Sequence, residues 1–195
     1  MSNVTAAFEL VLGAEHYKRI ALGLVKEARF ELWIATANVK SVLMEAPVGT
    51  RARARGAYVS ITETLVDLAK RGVDVRILHG GVPSGPFKRA LAGAKLPMRH
   101  CPRQHMKLVI QDGTQAYLGS ANLTGAGLGA KGEGRRNFEA GMVLTHGPAI
   151  ETLQRQFDRV WRGQECASCK LRAQCPKPID LLHKAKRAPA AKKST

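Results

Sequence analysis

Between Glu15 and Ala28 the residues Tyr17, Ile20, Ala21, Leu24 and Val25 recur at helical spacing, with Lys and Glu opposite, and predict a helix with one buried face. The apolar run Phe30 to Ala37 that follows is rich in β-formers and reads as a buried strand. Segment 45–56, EAPVGTRARARG, breaks the pattern with Pro, Gly and three arginines two apart. It predicts an exposed basic loop ahead of a helix from Tyr58 to Arg71. Gly72 ends that helix; Val73 to Leu78 is a strand, His79 to Pro86 a loop and Pro97 to Cys101 a short strand. Two further strands flank Asp112-Gly113, a two-residue hairpin signal, and a glycine-rich loop spans Gly125 to Gly134. Phe138 to Thr145 then reads as a buried strand. Pro148 to Trp161 reads as a helix with Leu153, Phe157, Val160 and Trp161 as its apolar stripe. Strands alternating with helices argue for a layered α/β domain.

The hairpin carries the chemistry. A two-residue turn at Asp112-Gly113 sets His105 opposite Ser120 and Lys107 opposite Leu118, because turn length dictates strand register. Side chains alternate along a strand, so His105, Lys107, Ser120 and Asn122 are expected on one face, with Met106, Leu108, Ile110 and Tyr117 on the other as a core set. An imidazole, a cation, a hydroxyl and an amide on one face are the parts needed to hold and attack a phosphodiester, and none of them requires a metal.

Charge agrees with an anionic substrate. The 195 residues hold 31 Lys and Arg against 15 Asp and Glu, a net charge of +16. Residues 176–195 account for +5 of that, which leaves +11 in the body of the chain and points to a polyanionic partner, nucleic acid or an anionic membrane surface. Only ten residues are Phe, Tyr or Trp, too few for a surface that stacks many bases, so phosphate contacts are the better expectation. No apolar run is long enough to span a membrane, and the N-terminus has no basic leader and carries Glu9 in its short apolar stretch. The expectation is a cytoplasmic protein without membrane insertion.

His105-x-Lys107, then Asp112, then Gly119-Ser120-x-Asn122 resembles the HxKxxxxDxxxxxxGSxN signature of the phospholipase D superfamily, and Asn137-Phe138-Glu139 is similar to the downstream Asn-x-Glu element of its small nucleases. The resemblance runs from about residue 14 to 162. It implies a mixed β-sheet flanked by helices and a phosphodiesterase working through a covalent phosphohistidine, with no cofactor needed for catalysis. It also implies two signature histidines per site. This chain has one copy, so the site would be shared by a homodimer, each subunit contributing His105, Lys107, Ser120 and Asn122. The signature makes Asp112 part of the catalytic set, yet seven residues of strand put it roughly 20 Å from His105, which assigns it to the turn. Glu139 is the candidate for orienting the imidazole. DNA or RNA is the favoured substrate. A phospholipase or phosphatidyltransferase using the same residues, and a non-catalytic nucleic-acid-binding module, are the rivals; the lack of a membrane-docking segment counts against the first and the filled signature against the second.

Several residues fall outside the signature. Arg51, Arg53 and Arg55 in the basic loop and Lys131, Arg135 and Arg136 in the glycine-rich loop are candidate phosphate contacts. Gly127-x-Gly129-x-x-Gly132 matches a dinucleotide fingerprint in form only, since it opens no helix; it reads as a mobile loop beside the site. His100 is either structural or a substrate contact, and His16, His79 and His146 have no partners in sequence. Cys166-x2-Cys169-x5-Cys175 is a close trio on a turn-rich stretch, suited to wrapping thiolates round a metal. It resembles the cysteine trio of iron–sulfur nucleases and some glycosylases. The fourth ligand would be Cys101 or His183, and the centre a structural or redox 4Fe-4S cluster or zinc, with no metal at all the third reading. The chain thus divides into a catalytic domain (1–162), a cysteine segment (163–178) and a basic disordered tail (179–195).

Overall fold

The computed structural model describes residues 8–45, 51–91, 94, 96–175 and 178; the expected tail, and His183 with it, lies outside them. Among the described residues nine strands form: β1 (Phe8–Leu12), β2 (Glu31–Thr36), β3 (Leu43–Glu45), β4 (Tyr58–Ser60), β5 (Asp74–His79), β6 (Met98–His100), β7 (Leu108–Gln111), β8 (Gln115–Gly119) and β9 (Ala140–Leu144). Seven of them make one mixed sheet in the order β1-β9-β8-β7-β2-β5-β6, and β3 pairs with β4 separately. The strands β2, β5 and β6 run parallel; β7, β8, β9 and β1 are joined antiparallel. The helices are α1 (Tyr17–Val25, wound as a π-helix), α2 (Arg51–Ala54), α3 (Ile61–Lys70), α4 (Gly85–Leu91) and α5 (Gly147–Trp161).

Strand alternation divides the core. Leu32, Ile34, Val75, Ile77, Val109, Tyr117 and Val143 pack with Ile20, Leu24, Leu65 and Leu68 of α1 and α3 on one face. Ala35, Leu78, Leu108, Ile110 and Ala116 point the other way, against Ile150, Phe157 and Trp161 of α5. Arg99 pins the end of α5, donating to the Trp161 carbonyl and lying 4.3 Å from its ring centre. No helix among the described residues is long and apolar enough to cross a membrane.

Several elements differ from the sequence reading. The hairpin turn takes three residues, Asp112, Gly113 and Thr114, with φ of 52° at Asp112 and 63° at Gly113, so Leu108 faces Leu118 and Val109 faces Tyr117. Each partner is displaced by one residue, and Tyr117 therefore joins the α1 face instead of lying with Leu108 and Ile110. The helix expected from Tyr58 begins at Ile61, because Ser60 caps it: its hydroxyl accepts from Glu63 N while Glu63 accepts from Ser60 N. The short helix α2 lies in a stretch expected as a loop, and α4 starts at the end of the expected loop 79–86 and runs on into residues for which no element was expected. The strand β1 was not foreseen, since Phe8, Leu10 and Leu12 are exposed while Val11 is buried; apolar residues on both faces leave no alternation to read.

Candidate active site

Three strand ends meet at the site. Gly119 N donates to the Lys107 carbonyl (3.2 Å) and Ser120 N to the Ala140 carbonyl (3.0 Å), which sets the lead-in to β7, the exit of β8 and the entry to β9 side by side. His105 and Lys107 precede β7, and Ser120 and Asn122 follow β8, so the group forms at loop ends and not along one continuous strand face. Lys107 Nζ lies 3.0 Å from His105 Nδ1, 3.2 Å from Nε2 and 2.9 Å from the His105 carbonyl oxygen. Partial burial lowers the Lys107 pKa from its usual value, while the Glu139 carboxylate pulls the other way.

Glu139 is held at both oxygens: Oε2 accepts the Ser120 hydroxyl and Oε1 accepts Asn137 Nδ2 (3.0 Å). Ser120 Oγ in turn accepts Ala140 N at 3.1 Å. Among the described residues of a single chain Glu139 has no hydrogen bond to His105; its charge reaches Lys107 instead. Asn122 Oδ1 accepts Asn38 N (3.0 Å), beyond the end of β2, which turns the amide's donor side outward. Phe138, between Asn137 and Glu139, is fully exposed.

A buried network holds this cluster from behind. His16 Nδ1 donates to the Gly13 carbonyl (3.0 Å), its Nε2 accepts from the Tyr117 hydroxyl (2.9 Å), and that hydroxyl accepts Ala121 N (3.2 Å). Burial keeps the imidazole below its usual 6.5 and pushes the phenol up to about 12. Sequence reasoning had no means of pairing His16 with Tyr117, 101 residues away. His79 and His100 form a second brace: their rings stack at 5.2 Å, His79 Nδ1 donates to Gly81 O and His100 Nε2 to Gly80 O. A Cβ at Gly80 would run into the backbone oxygen of Gln104, so this loop packs directly behind the residue before His105. The Nε2 of His100 is therefore engaged by this loop.

Burial lowers the pKa of both His16 and His79 from 6.5, so the folded protein keeps them neutral while the unfolded chain takes up protons as the pH falls through that value. Their contribution to stability is thus full above about pH 6.5 and lost on acidification. Denaturant midpoints at about pH 7.5 and about pH 5.5 are expected to show it, with a smaller gap in the His16→Gln and His79→Gln variants.

Asp112 lies at the far end of the hairpin. Its carboxylate accepts backbone N–H groups of Arg29 (3.1 Å), Phe30 (2.7 Å) and Glu31 (3.0 Å), stitching the turn to the entry of β2. The carboxylate is thus engaged at the turn, where strand length places it, although the signature counts Asp112 with the catalytic set. Asp112→Ala is expected to cost about 2–4 kcal/mol in a denaturant melt, because three amides lose a charged acceptor, while turnover per folded molecule stays unchanged.

Arg51 on α2 and Arg55 just after it are exposed, and the side chain of Arg53 lies outside the described residues. Lys131 and Arg135 are exposed in the loop leading to Asn137, and Arg136 is half-buried, its Nε donating to the Lys131 carbonyl (2.7 Å). Among the described residues no group of three or more His, Cys, Asp or Glu side chains could hold a metal ion. All four cysteines nonetheless line one small cavity.

The model of a family described as "Cardiolipin synthase, PLD-like domain" matches residues 23–161. No curated protein matches the chain. Among solved structures the chain is similar to Nuc, a phospholipase D family member from Salmonella typhimurium, with 22% identity and a TM-score of 0.57 over 80% of this chain and 93% of that one. NucT from Helicobacter pylori aligns at 17% identity and a TM-score of 0.51, over 78% and 94%. A phosphatidylserine synthase from Haemophilus influenzae aligns at 11% and 0.56, over 77% of this chain and 36% of the other. At these identities the likeness is one of fold.

Proposed function

Given that this chain belongs to the PLD-like domain family, we propose that it is a phosphodiesterase that cleaves nucleic acid through a phosphohistidine in a site shared by two subunits. The contact of Lys107 with His105 supports the reading most directly. An ammonium so placed meets the non-bridging oxygens of a phosphodiester that the imidazole attacks, with Asn122 and Ser120 as further polar groups at the same end of the sheet. One imidazole nitrogen of His105 forms a bond to phosphorus as the P–O bond to the leaving alkoxide breaks, and the partner subunit's His105 protonates that alkoxide. The same partner histidine then takes a proton from water, which attacks phosphorus, breaks the N–P bond and restores His105. No step needs a divalent cation.

The exposed face of β1 supports the dimer. Phe8, Leu10 and Leu12 are 58, 61 and 55% exposed and pair with Leu144, Met142 and Ala140 of β9. This apolar strip continues the sheet face that α5 covers further along, and it begins beside Glu139, whose carbonyl accepts Gly13 N. A second copy seated there about a two-fold axis covers the strip and brings two site ends together.

The net charge of +16 favours nucleic acid as substrate, and the family description makes phospholipid the competitor. Labelled single- and double-stranded DNA and RNA, and phosphatidylglycerol vesicles, incubated in EDTA, decide between them. Cleavage of a nucleic acid is the expected result. Turnover of lipid alone would move the substrate to phospholipids, and no turnover of any substrate would remove the enzymatic reading.

A further inference from the structure

The ring of Phe138 is an aromatic side chain that the fold leaves unused. It is 107% exposed, more than any other large apolar residue described, and it belongs to neither core cluster. Its backbone is nonetheless held on both sides. Asn137 N donates to the Ala126 carbonyl (3.1 Å), and the Glu139 carbonyl accepts Gly13 N (2.9 Å). The bond from Asn137 Nδ2 to Glu139 Oε1 (3.0 Å) links the two neighbours across it. Burying a phenyl ring is among the larger stabilising steps open to a fold. A ring kept out of every core cluster forgoes that gain, and on a fixed backbone it is already placed for a partner from outside the chain.

Position and charge identify that partner. Glu139, the next residue, accepts the Ser120 hydroxyl, and its charge reaches Lys107, whose Nζ lies 3.0 Å from His105 Nδ1. Phe138 therefore stands at the rim of the candidate site. It also lies beyond the last pair of the β1–β9 ladder, Leu12 with Ala140, and so past the end of the apolar strip on β1. The preceding residues 131–136 carry Lys131, Arg135 and Arg136 against Glu133, with Lys131 and Arg135 exposed. Exposed cations leading to an exposed ring are the two parts of a single-strand site: the cations follow the phosphates and the ring stacks on a base. A duplex does not offer that base, because both its faces are covered within the stack and freeing it costs energy. One ring serves one base, which agrees with a chain holding only ten aromatic residues.

We propose that Phe138 stacks on the unpaired nucleobase beside the scissile phosphate and so selects single strands over duplexes, an inference that rests on nucleic acid being the substrate. Fluorescence anisotropy of a short labelled single strand, recorded in EDTA with the His105→Ala chain so that the strand stays whole, reads the Kd directly. In that background Phe138→Ala and Phe138→Leu should each raise Kd about 5- to 100-fold, whereas Phe138→Trp should keep it within about twofold. An abasic strand of the same length should bind the parent and Phe138→Ala alike, because the phosphate contacts remain and the stacked base is gone. Equal Kd for the intact strand in parent and variants would overturn the proposal. So would a shift to monomer on a sizing column caused by Phe138→Ala, which would put the ring between subunits. Weaker binding of Phe138→Ala to phosphatidylglycerol vesicles, with strand binding unchanged, would overturn it in favour of a lipid contact. Binding is read without turnover: a chain that binds as expected yet cleaves nothing would remove the enzymatic reading and keep the stacked base, and a cleaving chain with unchanged Kd would do the reverse.

Discussion

His105→Ala is expected to lower phosphodiester cleavage by at least about 10⁴-fold, because on the proposed mechanism the substitution removes the nucleophile from one half of a shared site and the acid from the other. The side chain is exposed and outside the core, so the thermal midpoint should stay near that of the wild type. Mixed dimers sharpen the test. When equal amounts of wild type and His105→Ala are unfolded and refolded together, a shared site works only in wild-type pairs, and activity falls to about one quarter; independent sites would leave about one half. Leu10→Glu, which puts a carboxylate in the apolar strip, should yield monomers on a sizing column and lose activity with the catalytic residues intact. Full activity in that monomer would dismiss the shared site.

Gly119→Ala should be strongly destabilising, costing about 3 kcal/mol, the upper end for overpacking. A Cβ there would lie 2.7 Å from the Gly141 Cα and press on the Tyr117 phenol. Gly141 is closed off by the same ring, so neither strand has room to withdraw. Tyr117 cannot leave, because its hydroxyl is held between His16 and Ala121. Tyr117→Phe in the Gly119→Ala background is expected to recover only part of the loss in a chemical melt, since the Gly141 backbone remains in the way. Full recovery would mean that the phenol oxygen alone was the obstacle. The glycine of the signature therefore serves the packing beneath the site, and the serine that follows it is carried into place by that packing.

The signature residues were legible because they are local in sequence. His105, Lys107, Ser120 and Asn122 lie within 18 residues, and the spacing that marks them survives any detail of the fold around them. Helix α5 and the strands β2 and β5 were likewise readable from apolar spacing, since each buries a continuous stripe or run. Asp112 was placed at the turn by strand length alone, and its three backbone amides agree. The register was not readable: one extra loop residue, allowed by positive φ at Asp112 and Gly113, moved every cross-strand partner and sent Tyr117 to the opposite core.

Contacts between distant segments were decided only by the tertiary structure. Glu139 was expected to orient His105, yet within one chain its oxygens go to Ser120 and Asn137, an outcome that depends on how β9 seats beside β8. The trio of cysteines is visible as a spacing, but its meeting with Cys101 arises because β6 and the end of α5 lie together, pinned by Arg99 on Trp161. The exposed strip on β1 lies at the edge of the sheet, outside the cluster that packs against α5. Local spacing records the signature side chains, since it is written into consecutive residues; which of them touch is set by pairing across the chain, where a shift of one residue turns a side chain to the other face.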